Sequence, residues 1–171
     1  GFINDIRSIL SELPDQRQSL FFSATMSPTI ESLIRTFTKN PETIMARTAE
    51  TSDNVEQRVE FYVEGMQRMD KLHDILAAEE VSKALVFGET KRAVERLSND
   101  LVQRGFKADA MHGGKSQGQR QRALKNFKQD KINILVATDV AARGIDVDGV
   151  SHVVNFDVPQ TYDDYTHRIG R

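Results

Sequence analysis

From residue 83 onward the chain alternates short apolar runs with amphipathic segments, and this alternation limits the folds open to it. "KALVFGE" (83–89), "FKADAMHGG" (106–114), "INILVAT" (132–138) and "HVVNFDV" (152–158) have the length and composition of buried strands. Between and after them, "TKRAVERLSNDLVQRG" (90–105), "SQGQRQRALKNFKQ" (116–129) and "TYDDYTHRIGR" (161–171) carry helical spacing. Neighbouring parallel strands need a crossover of a dozen or more residues, which a helix of this length supplies. The expected fold class is therefore α/β: a parallel sheet with helices on both faces and right-handed crossovers. In such sheets ligands bind beyond the carboxyl ends of the strands. Those ends carry "GETK", "MHGG", "ATDVAARGID" and "FDVPQ".

Local signals set the helix ends. Ser116 and Gln119 occupy capping-box positions, Thr161 can cap a helix whose first turn holds Asp164, and Gly105 is a usual stop. Upstream, the spacing predicts a helix over 2–13, stopped by Pro14, and a second opened by Ser27 and Pro28 and ended at Asn40-Pro41. "SLFFSA" (19–24), "ETIMA" (42–46) and "RVEFYVE" (58–64) read as strands, and "MQRMDKLHDILAAE" (66–79) as a helix. Residues 47–57, "RTAETSDNVEQ", are polar without periodicity and read as a linker.

Composition removes several classes of function. The chain has no cysteine, and its four histidines (His73, His112, His152, His167) lack ligand-like spacing, so no metal site is expected. No apolar run approaches the roughly 20 residues of a membrane helix, so no membrane partner is expected. "GFINDIRSIL" lacks a signal peptide's basic start and apolar core, and the cytoplasm is the expected location. A net charge of −2 means that any nucleic acid must bind through a local patch. One is available at 111–131, which has six Lys or Arg against a single acid, Asp130. Two glycines precede the helix there, an arrangement that favours phosphate. A solvated basic helix face is the plainer reading. In "ATDVAARGID", Thr138 and Asp139 leave the strongest strand, and Asp146 can accept hydrogen bonds from ribose hydroxyls. A cap, a turn glycine and a solvated Asp explain the same letters. The arginines of "HRIGR" offer planar forks suited to phosphate oxygens.

Taken in order, "SAT", "ALVFGETKR", "HGG" with "SQGQR", "TDVAARGID", "NFDVP" and "HRIGR" resemble the DEAD-box RNA helicases of superfamily 2, along essentially the whole chain and most closely the bacterial members. The resemblance implies two RecA-like domains. Residues 1–44 would end the first, 45–57 would link, and 58–171 would form most of the second. It implies RNA-backbone contacts at Thr90, Lys91, Gly113, Gln117, Arg120, Thr138 and Asp139. It implies ATP contacts at Gly144, Asp146 and Arg171, with Arg171 as the catalytic arginine finger on the γ-phosphate. It implies interdomain coupling through Ser23, Ala24, Thr25, Asp157, His167 and Arg168. The expected cofactor is ATP with Mg²⁺, bound mainly by the rest of the first domain, and the expected partner is RNA, held without sequence preference. The chain contains neither G-x-x-x-x-G-K-[ST] nor D-E-A-D, so it is expected to be a segment of a larger enzyme and inactive alone. Gly114 stands where the family pattern has aspartate. A superfamily 2 DNA translocase and a non-catalytic RNA-binding module share parts of this pattern.

Overall fold

The computed structural model describes residues 3–23, 26, 28–45, 55–62, 67–143, 145 and 147–170. The chain divides into two compact units, Gly1–Thr48 and Ala49–Arg171.

The first unit contains helices α1 (Ile3–Ser11) and α2 (Pro28–Phe37). No residue of α1 is buried. Residues 19–23 and 42–45 form no strand, contrary to their apolar and β-branched composition. Leu20, Phe22 and Ile44 are exposed, Phe22 to 92%. A strand exists only where a neighbour completes its ladder, and no ladder reaches these residues.

The second unit is the predicted parallel sheet. Its strands are β1 (Ala84–Phe87), β2 (Ala108–Met111), β3 (Ile134–Ala137) and β4 (His152–Asn155), in the order β2-β3-β1-β4. All three pairings are parallel, with Ala84 opposite both Ile134 and His152, and Ala108 opposite Ile134. Alternation along each strand feeds two cores. Leu85, Phe87, Met111, Leu135 and Ala137 face one way and pack with Ala123 and Phe127 of α5 (Gln117–Lys128) and Ala141 and Ala142 of α6 (Asp139–Ala142). Ala84, Val86, Ala110, Ile134 and Val136 face the other way, onto Leu72 and Leu76 of α3 (Arg68–Leu76) and Val94, Leu97 and Leu101 of α4 (Lys91–Gln103). The chain steps outward from β1 to β2 and then back through β3 to β4. Right-handed crossovers in opposite directions place α4 and α5 on opposite faces. The strand order reverses between β1 and β3, so the crevice favoured for ligands opens above Phe87 and Ala137.

The helix ends follow local chemistry. Thr90 accepts the Ala93 N–H (3.1 Å), Thr161 accepts the Asp164 N–H (3.1 Å) at the start of α7 (Tyr162–Ile169), and Ser116 and Gln119 form the reciprocal box. Helix α4 is capped at Arg104 and turned away at Gly105, φ +94°, where the Phe106 N–H reaches Leu101 O and the Gly105 N–H reaches Val102 O. Only glycine adopts this left-handed turn cheaply. The expected strand at 58–64 is corrected: residues 58–62 are irregular, with Val59 and Phe61 exposed, and 63–64 lie outside the described residues. Beyond β3 the turn of helix α6 occupies what reads in sequence as a loop.

Candidate functional site

The carboxyl ends of β1, β3 and β4 are tied together by one arginine. Arg168 lies on α7 and is 2% exposed. Its Nε and Nη2 donate to the two carboxylate oxygens of Asp139, at 2.6 and 2.8 Å. Its Nη1 donates to Asn155 Oδ1 (3.0 Å) and to the Asp157 carbonyl (2.6 Å). The guanidinium carbon lies 4.9 Å from the centre of the Phe87 ring. A buried charge is tolerated only when paired and fully hydrogen-bonded, and the fork-to-fork geometry with Asp139 meets that condition. Asp157 extends the knot. Its Oδ1 accepts from Arg68 Nη2 and its Oδ2 from the Glu89 N–H, both at 2.9 Å. Arg68 also donates to the Phe156 carbonyl and lies 4.1 Å from the centre of that ring.

The ends of β1, β2 and β3 on the other side of the crevice form a more open group. Gly88 leaves β1 so close to α4 that an added Cβ would sit 2.9 Å from Val94 Cγ2. Thr90 caps α4 and Lys91 opens it. The Lys91 side chain lies over Gly113, its Cε 3.6 Å and its Nζ 3.9 Å from the place a Cβ would take there. Lys91 is exposed and makes no ion pair among the described residues. Thr138 is buried and its N–H bonds Met111 O (3.3 Å), which joins the ends of β2 and β3. Gln117 accepts from Arg120 Nη1 (3.4 Å), while the buried Arg120 Nε has no partner among the described residues. Behind this group His112 pairs with Glu95 (2.7 Å), and Lys115 stands 3.4 Å from the same carboxylate oxygen. The hydrogen bond from His112, with support from Lys115, holds the Glu95 carboxyl below its ordinary pKa against the opposing effect of burial. A cationic, amide-bearing surface of this kind suits a phosphate backbone.

The family model of the helicase conserved C-terminal domain matches residues 67–171. The chain belongs to this family. Its relatives place it on the DEAD-box branch. It is 48% identical over 174 residues to the DEAD-box ATP-dependent RNA helicase CshA of Bacillus licheniformis, a match that covers 100% of this chain and 35% of the relative. It is similar to a DEAD box protein from the hyperthermophile Methanococcus jannaschii, with 40% identity and a TM-score of 0.64 over 100% of this chain and 46% of that one. Dbp5 of S. cerevisiae, solved bound to RNA and ADP BeF3, gives a TM-score of 0.77 at 26% identity, over 98% of this chain and 45% of that one. The chain thus spans about a third of the curated relative, 35% of its length.

Within this helicase domain the motif residues fall into the two groups just described. Thr90, Lys91, Gly113, Gln117, Arg120 and Thr138 gather at the open group. Asp139 follows Thr138 at the same strand end and gives both carboxylate oxygens to Arg168. Asp157 and Arg168 meet in the knot. His167 is half-buried on α7 and makes no polar contact among the described residues. Ser23 is exposed in the first unit. Ala24, Thr25, Gly144, Asp146 and Arg171 lie outside the described residues, although Ile145 and Val147 are anchored in the core. Arg68, Glu89, Asn155, Glu95 and His112 are additions that sequence reasoning missed. Asn155 lies inside "NFDVP", which offered a signal; Arg68 and Glu95 are ordinary helix letters with none.

Proposed function

We propose that this chain is part of an ATP-dependent RNA helicase, in which ATP binding and hydrolysis drive local opening of RNA duplexes or remodelling of ribonucleoproteins. The observation that carries the reading is the adjacency of the two groups at the sheet's carboxyl edge. The open group ends at Thr138 and the arginine knot begins at Asp139, so a backbone-reading surface and the "HRIGR" helix share one strand end.

In this reading Thr90, Lys91, Gly113, Gln117, Arg120 and Thr138 take RNA phosphates and sugars, contacts that position a strand without reading its bases. Gly144 and Asp146 serve the ATP ribose. Arg171 serves the γ-phosphate, where a guanidinium stabilises the charge that spreads in phosphoryl transfer. Arg168 does not share that task, because it is buried and each of its guanidinium nitrogens already donates to Asp139, Asn155 or Asp157. It holds α7, from which the chain runs on to Arg171. ATP with Mg²⁺ would be bound mainly by a first RecA-like domain. Residues 1–44 would be its last part, with Ser23, Ala24 and Thr25 coupling it to Asp157 and His167. Residues 45–57 would be the linker and 58–171 the second domain. The location would be the cytoplasm, and the chain alone would hydrolyse no ATP.

The test is the ATPase rate of the intact protein with and without single-stranded RNA, beside its Arg171→Ala variant. RNA should stimulate the wild type and the variant should be inactive. A rate indifferent to both RNA and Arg171 would leave a binding module that retains the fold.

A further inference from the structure

We propose that His112 is a positioning residue for the RNA backbone: it fixes the turn 112–115 so that the Gly113 amide and the Lys91 ammonium face one phosphate. This rests on the reading that the open group binds RNA.

His112 ends the second strand's run and is 8% exposed. It closes the turn twice. Its carbonyl accepts the Lys115 N–H (3.1 Å), and its ring Nδ1 accepts the Gly114 N–H (3.1 Å). The ring is pressed against the turn, since a Cβ on Gly114 would stand 3.1 Å from Nδ1 and 3.2 Å from Cε1. With two of the turn's amides satisfied in this way, the Gly113 N–H makes no hydrogen bond among the described residues, and the Lys91 side chain lies beside the same glycine, its Nζ 3.9 Å from the place a Cβ would take.

The bond from Gly114 requires an unprotonated Nδ1, so the neutral ring must carry its hydrogen on Nε2. Glu95 selects that tautomer. Its carboxylate can only accept, and it lies 2.7 Å from Nε2. The charged groups around the turn are Glu95 and Lys91 from α4, Asp109 from β2, and Lys115 from the turn itself. Lys115 bridges Glu95 and Asp109, at 3.4 and 3.5 Å, and so compensates both carboxylates. His112 and Glu95 thus hold the shape of the phosphate seat without touching the phosphate.

The experiment measures single-stranded RNA affinity of the intact helicase with a non-hydrolysable ATP analogue. His112→Phe keeps a ring but removes the acceptor, and affinity should fall about tenfold, the scale of one lost hydrogen bond. His112→Asn restores an acceptor for the N–H two residues on, as in an Asx turn, and should bind within about twofold of wild type. A Phe variant that binds like wild type, or an Asn variant that falls as far as Phe, overturns the proposal. Should the Phe variant fail to fold, ¹⁵N NMR of the wild-type imidazole decides: an Nδ1 that carries the proton at neutral pH overturns it, and an unprotonated Nδ1 supports it. A wild type that binds no RNA overturns the proposed function itself, an outcome distinct from an indifferent His112.

Discussion

Two groups of motif residues share one edge of the sheet and differ in almost every physical respect. In the Arg168 knot every nitrogen of the guanidinium donates to a protein oxygen, Phe87 lies against it from the sheet side, and the arginine is buried. In the Lys91 group the lysine is exposed, and among the described residues neither the Gly113 amide nor the buried Arg120 Nε has a hydrogen-bond partner. Saturated polar groups stabilise the fold they belong to, while exposed unpaired ones, such as the Lys91 ammonium, are available to a ligand. Resemblance in sequence does not separate the two, because both groups are made of letters from the same family pattern.

The largest test of this contrast is Asp139→Ala. It leaves the Arg168 guanidinium buried without its carboxylate, which costs about 3–5 kcal/mol. Urea unfolding reads this directly. A loss below about 1 kcal/mol, the range of an exposed pair, would put the knot on the same footing as the open group. Gly88→Ala comes next. Its Cβ would press on the fully buried Val94, and overpacking of this kind costs about 1–3 kcal/mol. Stability should drop while RNA contacts remain in place, so a selective loss of RNA binding would mean that the strand-to-helix turn belongs to the ligand surface. Lys91→Ala should barely change stability, within about 0.5 kcal/mol. It should weaken RNA binding alike for all sequences and lower the salt slope by about 1. A sequence-selective effect, or a destabilisation as large as that of Asp139→Ala, would erase the distinction.

Much of the second unit was legible because its signals are local. The unbroken apolar runs "ALVF" and "ILVA", buried along their whole length, the hydroxyl caps at Thr90, Ser116 and Thr161, and the stop at Gly105 each act within a few residues. The expected strands at 19–24, 42–46 and 58–64 were read from the same kind of composition, and the described residues among them form none. Apolar or alternating letters give a segment's preference for extended backbone, whereas a strand also needs a partner at hydrogen-bonding distance. Asp139 shows the corresponding limit for function. The letters around it do not show that its carboxylate turns to an arginine 29 residues away.

The sequence by itself determined the α/β class, the helix caps and the placing of chemically active letters at the strand ends, because period, capping and turn chemistry are short-range. The strand order β2-β3-β1-β4 and the choice of which polar letters meet were decided only in the tertiary structure. Pairing a buried guanidinium or fixing an imidazole tautomer depends on distances of about 3 Å between residues far apart in the chain, and only the packed sheet sets those distances.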